Sequence, residues 1–201
     1  MPVSLWGMSG AKSEQTVRVE PAVAGLWPDV VTVMGTRGDP ASCWCQFFRL
    51  RGQAWHDATK AENKAALCEQ VESSPTPPGV LAYRDDEPVG WCAVGPKRDQ
   101  PRLLASRLSA GEVAGIWSVT CFVVKVGHRR QGIAGALLTG AIALARAQKA
   151  TTVEAYAVDA SVRTSVSAAE LFHGPLTLFT EAGFTEVARP SPTRAVVRLD
   201  L

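Results

Sequence analysis

The sequence predicts one domain of mixed α/β (α+β) structure in three layers around a mixed sheet. Three observations favour this fold class: the chain has 201 residues, apolar β-branched runs alternate with segments of helical periodicity, and one strand runs through a glycine-bearing turn into a long amphipathic helix. Residues 1–15 are aperiodic and are expected to form a flexible arm. Residues 16–201 are expected to form the domain.

The N-terminal elements are predicted from periodicity and capping. Residues 17–19 alternate apolar and charged side chains, which predicts a short strand. Residues 21–35 hold apolar side chains at helical spacing and predict a helix. Residues 57–73 predict a second helix, because Thr59 is a suitable N-cap and Glu62 follows three residues later.

The centre of the chain predicts a hairpin and a strand–helix–strand unit. Two alternating segments, residues 80–83 and 89–94, flank an acidic turn and predict the hairpin. Residues 116–126 form an apolar, β-branched run typical of a buried central strand. Residues 132–149 carry one continuous apolar face and predict a long helix, and residues 151–158 predict the next strand.

The remaining segments are less regular. A short helix is predicted near residues 103–108. Residues 161–182 hold helical stretches that are broken at Gly174-Pro175. Residues 186–188 and 195–199 predict a closing hairpin, which completes the sheet.

Composition excludes several function classes. The formal net charge is +2, which gives no general attraction to nucleic acid or membrane. No apolar run is long enough for a membrane span and no signal peptide is visible, so we expect a cytoplasmic protein. The five cysteines are odd in number and scattered, which indicates reduced thiols rather than a disulfide framework or a zinc site, and no metal is expected.

The chemistry is predicted to lie where the central strand enters the long helix. The first N–H groups of a helix lack internal partners and carry partial positive charge, so a phosphate binds well there. Gly132 allows close approach, Ala134 and Gly135 are small, and Arg129 and Arg130 add charge. A plain structural turn is the alternative. The sequence has neither GxxxxGK[ST] nor GxGxxG here, which excludes the two commonest phosphate loops.

The same residues resemble the GNAT superfamily of acyl-CoA-dependent N-acetyltransferases. Residues 129–134, RRQGIA, fit the family signature [Q/R]-x-x-G-x-[G/A], and residues 124–138 resemble its wider pattern, with Val126 where proline is frequent. Residues 178–184, LFTEAGF, resemble the family's L-Y-x-x-x-G-F. The resemblance implies a central mixed, mostly antiparallel sheet flanked by helices on both faces.

The resemblance also implies acetyl-CoA (coenzyme A) as the cofactor. Its pantetheine arm would pair with the backbone of the central strand, and a strand N–H would polarise the thioester carbonyl. Its pyrophosphate would bind backbone N–H groups at the start of the helix. The implied cofactor-binding residues are Phe122, Val123, Val124, Arg129, Arg130, Gln131, Gly132, Ala134 and Gly135.

The proton-transfer residues are less certain from the sequence. Many family members have a tyrosine acid where this chain has Phe179. Glu154 and Tyr156 alternate on one strand and share a face, so they are a candidate base and acid, and His173 is a third catalytic candidate. Each of the three can equally be a structural side chain. Cys121 beside the pantetheine strand is either acylated or, as we favour, simply packed.

The acceptor pocket is implied to lie in the aromatic N-terminal region. Trp44, Phe47 and Trp55 are candidate substrate-binding residues, either as a pocket wall or as a cation–π cradle for an amine, and core packing is the alternative. The implied acceptor is a small-molecule or peptide amine. No nucleic-acid or membrane partner is expected, and the chain is expected to be a monomer or homodimer.

Two functions from different classes remain open in the sequence. The first is an N-acetyltransferase that moves acetyl from acetyl-CoA to a primary amine by direct attack on the thioester. The alternative is a non-catalytic or weakly catalytic acyl-CoA-binding sensor on the same fold, which Phe179 favours.

Overall fold

One mixed sheet organises the protein. A computed structural model describes residues 17–109, 111–162 and 170–201, and the predicted arm at residues 1–15 lies outside them. Within the described residues the sheet has seven strands in the order β1-β2-β3-β4-β5-β7-β6. The strands are β1 (Val17–Pro21), β2 (Gly79–Arg84), β3 (Glu87–Pro96), β4 (Ile116–Val124), β5 (Thr152–Val158), β6 (Thr185–Ser191) and β7 (Arg194–Asp200).

Helices connect the strands on both faces of the sheet. They are α1 (Trp27–Met34), α2 (Pro40–Cys43), α3 (Gln53–Asp57), α4 (Lys60–Ser73), α5 (Pro101–Leu104), α6 (Ile133–Ala147) and α7 (Leu176–Glu181). Short 3₁₀ turns follow at Lys97–Asp99, Ala160–Val162 and Glu170–His173. The mixed α/β fold class is therefore confirmed.

The two central strands separate along their length. β4 and β5 are parallel and pair only from Ile116–Thr152 to Val119–Ala155, whereas the other neighbouring strands are antiparallel. The register between β3 and β4 shifts after Ala93, which leaves Thr120 as an extra residue in β4. A bulge of this kind bends a strand and increases its twist, so it explains why β4 leaves β5.

The two faces of the sheet bury separate cores. Helix α6 covers one face, and its buried residues are those of the predicted apolar stripe together with Leu144. The fit is close, because a side chain at Gly140 would collide with Val19 of β1. Helices α1 and α4 bring Val30, Leu67 and other apolar side chains onto the opposite face.

Capping explains the start of α4. The Thr59 hydroxyl accepts a hydrogen bond from the Glu62 N–H, and the Glu62 carboxylate accepts one from the Thr59 N–H at 2.7 Å. The capping box predicted from the sequence is therefore confirmed, and it begins the helix at Lys60 rather than at residue 57.

Several boundaries differ from the predictions because local chemistry ends the elements. The helix predicted near residues 103–108 is Pro101–Leu104, since proline suits a first turn. In the segment predicted as 161–182, Gly174 (φ 84°) separates the 3₁₀ turn at Glu170–His173 from α7, as expected. Residues 163–169 lie outside the described part of the chain.

Candidate active site

A cavity of about 1350 Å³ lies along the part of β4 that β5 no longer pairs. Its walls come from α2 and the loop after it, from α3, from β4, from the turn before α6 and from the segment before α7. Residues that line it from the central strand are Thr120, Cys121, Phe122, Val123 and Val124.

Strand alternation shows which backbone groups of β4 face this opening. The N–H of Lys125 donates to the Val89 carbonyl of β3 at 3.0 Å. N–H groups alternate sides along a strand, so those of Val124 and Phe122 point away from β3, toward the side that β5 has left. An extended ligand can therefore add to this edge by main-chain hydrogen bonds.

The start of α6 borders the same cavity and fits a phosphate. Gly132 is the N-cap with φ 79°, and no side chain caps the helix. A Cβ at Gly132 or Gly135 would meet no atom within 4 Å, so the space in front of the first turn is open. The uncapped N–H groups of a 15-residue helix thus face a cavity also lined by Arg129 and Arg130.

Gln131 lies differently from the other residues predicted to bind the cofactor. Phe122, Val123, Val124, Arg129, Arg130, Gly132, Ala134 and Gly135 line the cavity. The Gln131 side chain instead donates to the Gly127 carbonyl at 2.6 Å and accepts from Arg84. The Gln131 side chain therefore stabilises the turn on the side that faces away from the cavity.

The predicted base, Glu154, lies in a buried polar network rather than on the cavity wall. Its Oε1 is 2.8 Å from the Lys97 ammonium, and its Oε2 accepts from the Arg198 guanidinium at 2.9 Å. Both Glu154 and Lys97 are fully buried. Cross-strand register explains the arrangement, since Ser118, Glu154 and Arg198 are partners on β4, β5 and β7.

The predicted acid, Tyr156, belongs to the same network. Its hydroxyl donates to Glu154 Oε1 at 2.6 Å and lies 3.0 Å from the Ser118 hydroxyl. Burial, then the charge of Glu154, raises the pKa of Tyr156 well above its usual value. The side chain is fully buried beside Phe48 and Leu103 and does not line the cavity.

His173, the third catalytic candidate, is also buried and does not line the cavity. It packs between Phe172, at 4.0 Å between ring centroids, and Phe48, at 5.5 Å. Burial, and then the nearby charge of Arg194, lowers the pKa of His173 to about 3, against the opposing effect of a hydrogen bond with the Thr120 backbone. The imidazole is therefore neutral at neutral pH. The catalytic roles of Glu154, Tyr156 and His173 stay predictions.

The predicted acceptor residues fall in two places. Phe47 and Trp55 line the cavity in edge-to-face contact, 5.2 Å between centroids, and the Arg102 guanidinium lies 4.3 Å from the Phe47 ring centre. Trp44 instead packs in the core under α1, 5.7 Å from Trp27, and its indole N–H donates to the Ala41 carbonyl. Two of the three aromatic side chains thus line the cavity, and the third does not.

Phe179 is fully buried beneath β4. Its ring is 6.1 Å from Phe122 and 5.4 Å from Phe184. The position where a tyrosine acid was implied therefore holds a core side chain without a hydroxyl.

Sequence reasoning missed the partners of Glu154 and the cysteine cluster. Lys97 lies between the strand predicted at 89–94 and the helix predicted near 103–108, where no regular element is predicted, and Arg198 lies in the predicted closing hairpin. Charge within apolar strands was a usable signal for Arg198, whereas none marked Lys97. Cys43, Cys45 and Cys121 all line the cavity, although Cys121 is far in sequence from the other two.

Two negative findings concern the described residues. They include no cluster of three or more His, Cys, Asp or Glu side chains placed to hold a metal ion. In the same part of the chain, every helix is too short or too polar to cross a membrane.

Comparisons with solved structures agree with this architecture. The GNAT domain of S. lividans PAT is 18% identical, covers 92% of this chain and 90% of its own, and has a TM-score of 0.51. Ribosomal-protein-alanine N-acetyltransferase from Brucella melitensis is 16% identical over 92% and 99%, with a TM-score of 0.54. The yncA protein of Salmonella typhimurium, solved with its cofactor acetyl-CoA, is 15% identical over 92% and 94%, with a TM-score of 0.52.

Sequence comparison supplies the family. No curated protein matches the chain significantly. The family model described as "Acetyltransferase (GNAT) family" matches residues 43–173, more than half of the chain, and this range holds β4, the turn and α6. The chain therefore belongs to the acetyltransferase (GNAT) family.

Proposed function

We propose that this acetyltransferase moves an acetyl group from acetyl-CoA to a primary amine of a small molecule or peptide by direct attack on the thioester. The observation that carries the proposal is that one cavity joins three features: the uncapped start of α6, the open edge of β4 and the aromatic pair Phe47–Trp55. Family membership makes acetyl-CoA the acyl donor.

The donor would lie along α6 and β4. Its pyrophosphate suits the N–H groups after Gly132, with Arg129 and Arg130 adding charge. Its amide-bearing arm suits the main-chain groups of Phe122 and Val124. A free N–H on this edge also suits a developing oxyanion, since main-chain donors fixed in a strand need no reorganisation.

The acceptor would enter past α3. An alkyl amine must lose a proton before attack, which costs about 4.6 kcal/mol at pH 7 for a pKa near 10.4. The aromatic faces of Phe47 and Trp55 suit an amine or flat acceptor. Proximity of the two substrates in one cavity supplies much of the remaining acceleration.

Calorimetric titration tests the donor site first. We expect acetyl-CoA to bind in the micromolar range and desulfo-CoA to bind similarly, because the phosphate contacts do not need the sulfur. ATP is the control for unspecific nucleotide binding. No heat with acetyl-CoA would contradict the placement along α6.

A single substitution locates the pyrophosphate. Gly132→Glu places a side chain and a negative charge in front of α6, so affinity for acetyl-CoA should fall about a hundredfold or more. Gly111→Glu is the matched control, because Gly111 also has a positive φ and open space but does not line the cavity. Equal loss in both variants would indicate misfolding rather than a lost site.

A second candidate function is an acyl-CoA-binding sensor with little turnover. The buried Phe179 favours it, and so does the burial of Glu154, Tyr156 and His173. Release of free CoA with a panel of amines separates the two functions. An enzyme releases CoA with at least one amine. A sensor binds acetyl-CoA but releases CoA no faster than acetyl-CoA hydrolyses in buffer without the protein.

A further inference from the structure

We propose that Cys45 and Cys121 form an oxidisable thiol pair in the cavity wall, in which a hydroperoxide oxidises Cys45 and Cys121 then closes a disulfide. The pair is a modification site separate from acetyl transfer. It depends on neither the donor nor the acceptor proposed above.

The fold brings these thiols together from distant parts of the chain. Cys45 follows α2, and Cys121 lies in β4 directly after the bulge at Thr120. Both side chains are partly exposed and line the cavity, so a small oxidant can reach them. Cys121 pairs with Ala93 of β3, so its side chain lies on the same face of the sheet as Trp91, against which Cys45 packs. The two thiols therefore face each other closely enough to interact electrostatically.

A second donor holds the Cys45 sulfur. The indole N–H of Trp91, a fully buried residue of β3, donates to Cys45 Sγ with a donor–acceptor distance of 3.2 Å. A sulfur that accepts a hydrogen bond from an N–H group and faces a second thiol is favoured in its anionic form, because N–H and S–H groups stabilise negative charge. The site therefore has a built environment for a thiolate.

The backbone at this position is unusual. Trp44 and Cys45 have φ values of 45° and 55°, two consecutive left-handed residues that are not glycine. This conformation is strained for any residue other than glycine. It is held by the hydrogen bond from Trp44 N–H to the Pro40 carbonyl and by that from Gln46 N–H to the Cys43 carbonyl. The turn places the Cys45 sulfur against β3 and β4.

The neighbouring thiols differ in protonation. The Cys121 hydrogen bond, then Trp91 and Arg49, lower the pKa of Cys45 against the effect of burial. The Cys45 contact and burial raise the pKa of Cys121, and burial raises that of Cys43 to about 12 and that of Cys92 well above its usual value. Together with the indole N–H that Trp91 donates to Cys45, this difference makes Cys45 the nucleophile and Cys121 the thiol that resolves it.

The oxidation balances without a further reactant. The Cys45 thiolate attacks one oxygen of the hydroperoxide, the O–O bond breaks, and the leaving oxygen takes up a proton and departs as water or an alcohol. Cys45 is then a sulfenic acid. The Cys121 sulfur attacks it, the S–S bond forms, and the hydroxyl leaves as water with the Cys121 proton. Two thiols lose two electrons, and one peroxide gains them.

The disulfide would join two walls of the cavity. It would link the loop after α2, which contains Phe47, covalently to β4, which contains Phe122. Reduction by a thiol reverses it.

Alkylation kinetics test the thiolate. The full chain is treated with iodoacetamide over a range of pH, and each cysteine is followed by mass spectrometry of its peptide. We expect Cys45 to react about tenfold faster than Cys68 at pH 7, and its rate to rise at a lower pH. Cys68 is a matched control, because it is partly exposed but does not line the cavity. Equal rates would overturn the proposal.

Two variants of Cys121 separate its donor role from packing. Cys121→Ala removes the donor, so the pH at which the alkylation rate of Cys45 rises should increase. Cys121→Ser keeps a donor, so in this variant the alkylation rate of Cys45 should rise at the same low pH as in the native protein. A profile that moves in neither variant would overturn the thiol pair.

Peroxide treatment tests the bond itself. We expect a peptide crosslink between Cys45 and Cys121 after one equivalent of hydrogen peroxide, blocking with an alkylating agent and digestion without reductant. Cys43→Ala should retain it, and Cys121→Ala should lose it. A Cys43–Cys45 link, or overoxidation of Cys45 without any crosslink, would contradict the proposal.

Discussion

Two neighbouring regions of the sheet contain most of the chemistry, and they are organised in opposite ways. Where β4 and β5 are paired, Ser118, Glu154 and Arg198 join Lys97 and Tyr156 in a connected polar network that is buried except at Arg198. Where β4 has separated from β5, the same strand borders a large cavity with thiols, apolar side chains and main-chain N–H groups that point away from β3.

The difference shows what ionisable side chains do in each region. Charges in the paired region are satisfied by one another and by buried hydroxyl groups, so they hold four elements together. The open region presents backbone N–H groups and a helix terminus, and these groups do not depend on the identity of the side chains beside them. In this protein the position of a residue relative to the bulge at Thr120 is therefore a better guide to its role than its chemical type.

Lys97→Met gives the largest expected effect on this comparison. It leaves Glu154 buried with one cation fewer, so the free energy of unfolding should fall by about 3–5 kcal/mol in urea denaturation. Lys125→Met is the control, because the Lys125–Glu87 pair is partly exposed and should contribute less than about 1 kcal/mol. Similar losses in both variants would show that the network is not a structural unit.

The pH dependence of stability gives the next largest effect. His173 titrates near 6.5 when unfolded and at a pKa of about 3 when folded, so between these values only the unfolded chain takes the proton. Stability therefore falls as the pH drops below about 6.5, by about 2 kcal/mol between pH 7 and pH 5.

Replacement of His173 isolates this contribution. In His173→Gln, the difference between the unfolding free energies at pH 7 and at pH 5 should be smaller than in the native protein by about 2 kcal/mol. This difference can be compared even if the variant is less stable at pH 7. The exposed His56 is the control, and His56→Gln should keep the full slope. An unchanged slope in His173→Gln would mean that the imidazole is not buried in its neutral form.

The sequence predicts the local elements well because their signals are local. The apolar stripe of α6, the capping box at Thr59 and the break at Gly174 each depend on residues within one or two turns. The turn at Gly132 is recognisable for the same reason. Most of the residues predicted around this turn to bind the cofactor do line the cavity.

The side-chain environments could not be predicted from the sequence, because they depend on strands far apart in the chain. Glu154 and Tyr156 do share a face, as alternation predicts, but that face meets Lys97 and Arg198 rather than the cavity. Trp44 and Phe47 are three residues apart, yet the left-handed turn between them sends one ring into the core and the other to the cavity.

The smallest expected effect is that of removing the Tyr156 hydroxyl. Tyr156→Phe should lower the free energy of unfolding by about 1 kcal/mol, because a hydrogen bond to Glu154 is lost inside the network. Turnover with acetyl-CoA and an amine should stay within about threefold of the native value, since the hydroxyl is buried and its raised pKa makes it a weak acid.

Tyr83→Phe is a matched control for this substitution. The Tyr83 hydroxyl also donates to a carboxylate, that of Asp29 at 2.8 Å, but on β2, away from the cavity. If Tyr156 is instead the acid of the reaction, Tyr156→Phe will lower turnover more than about tenfold at unchanged affinity for acetyl-CoA, and Tyr83→Phe will not. That result would reverse the comparison, because the paired region would then take part in the chemistry through the cavity wall.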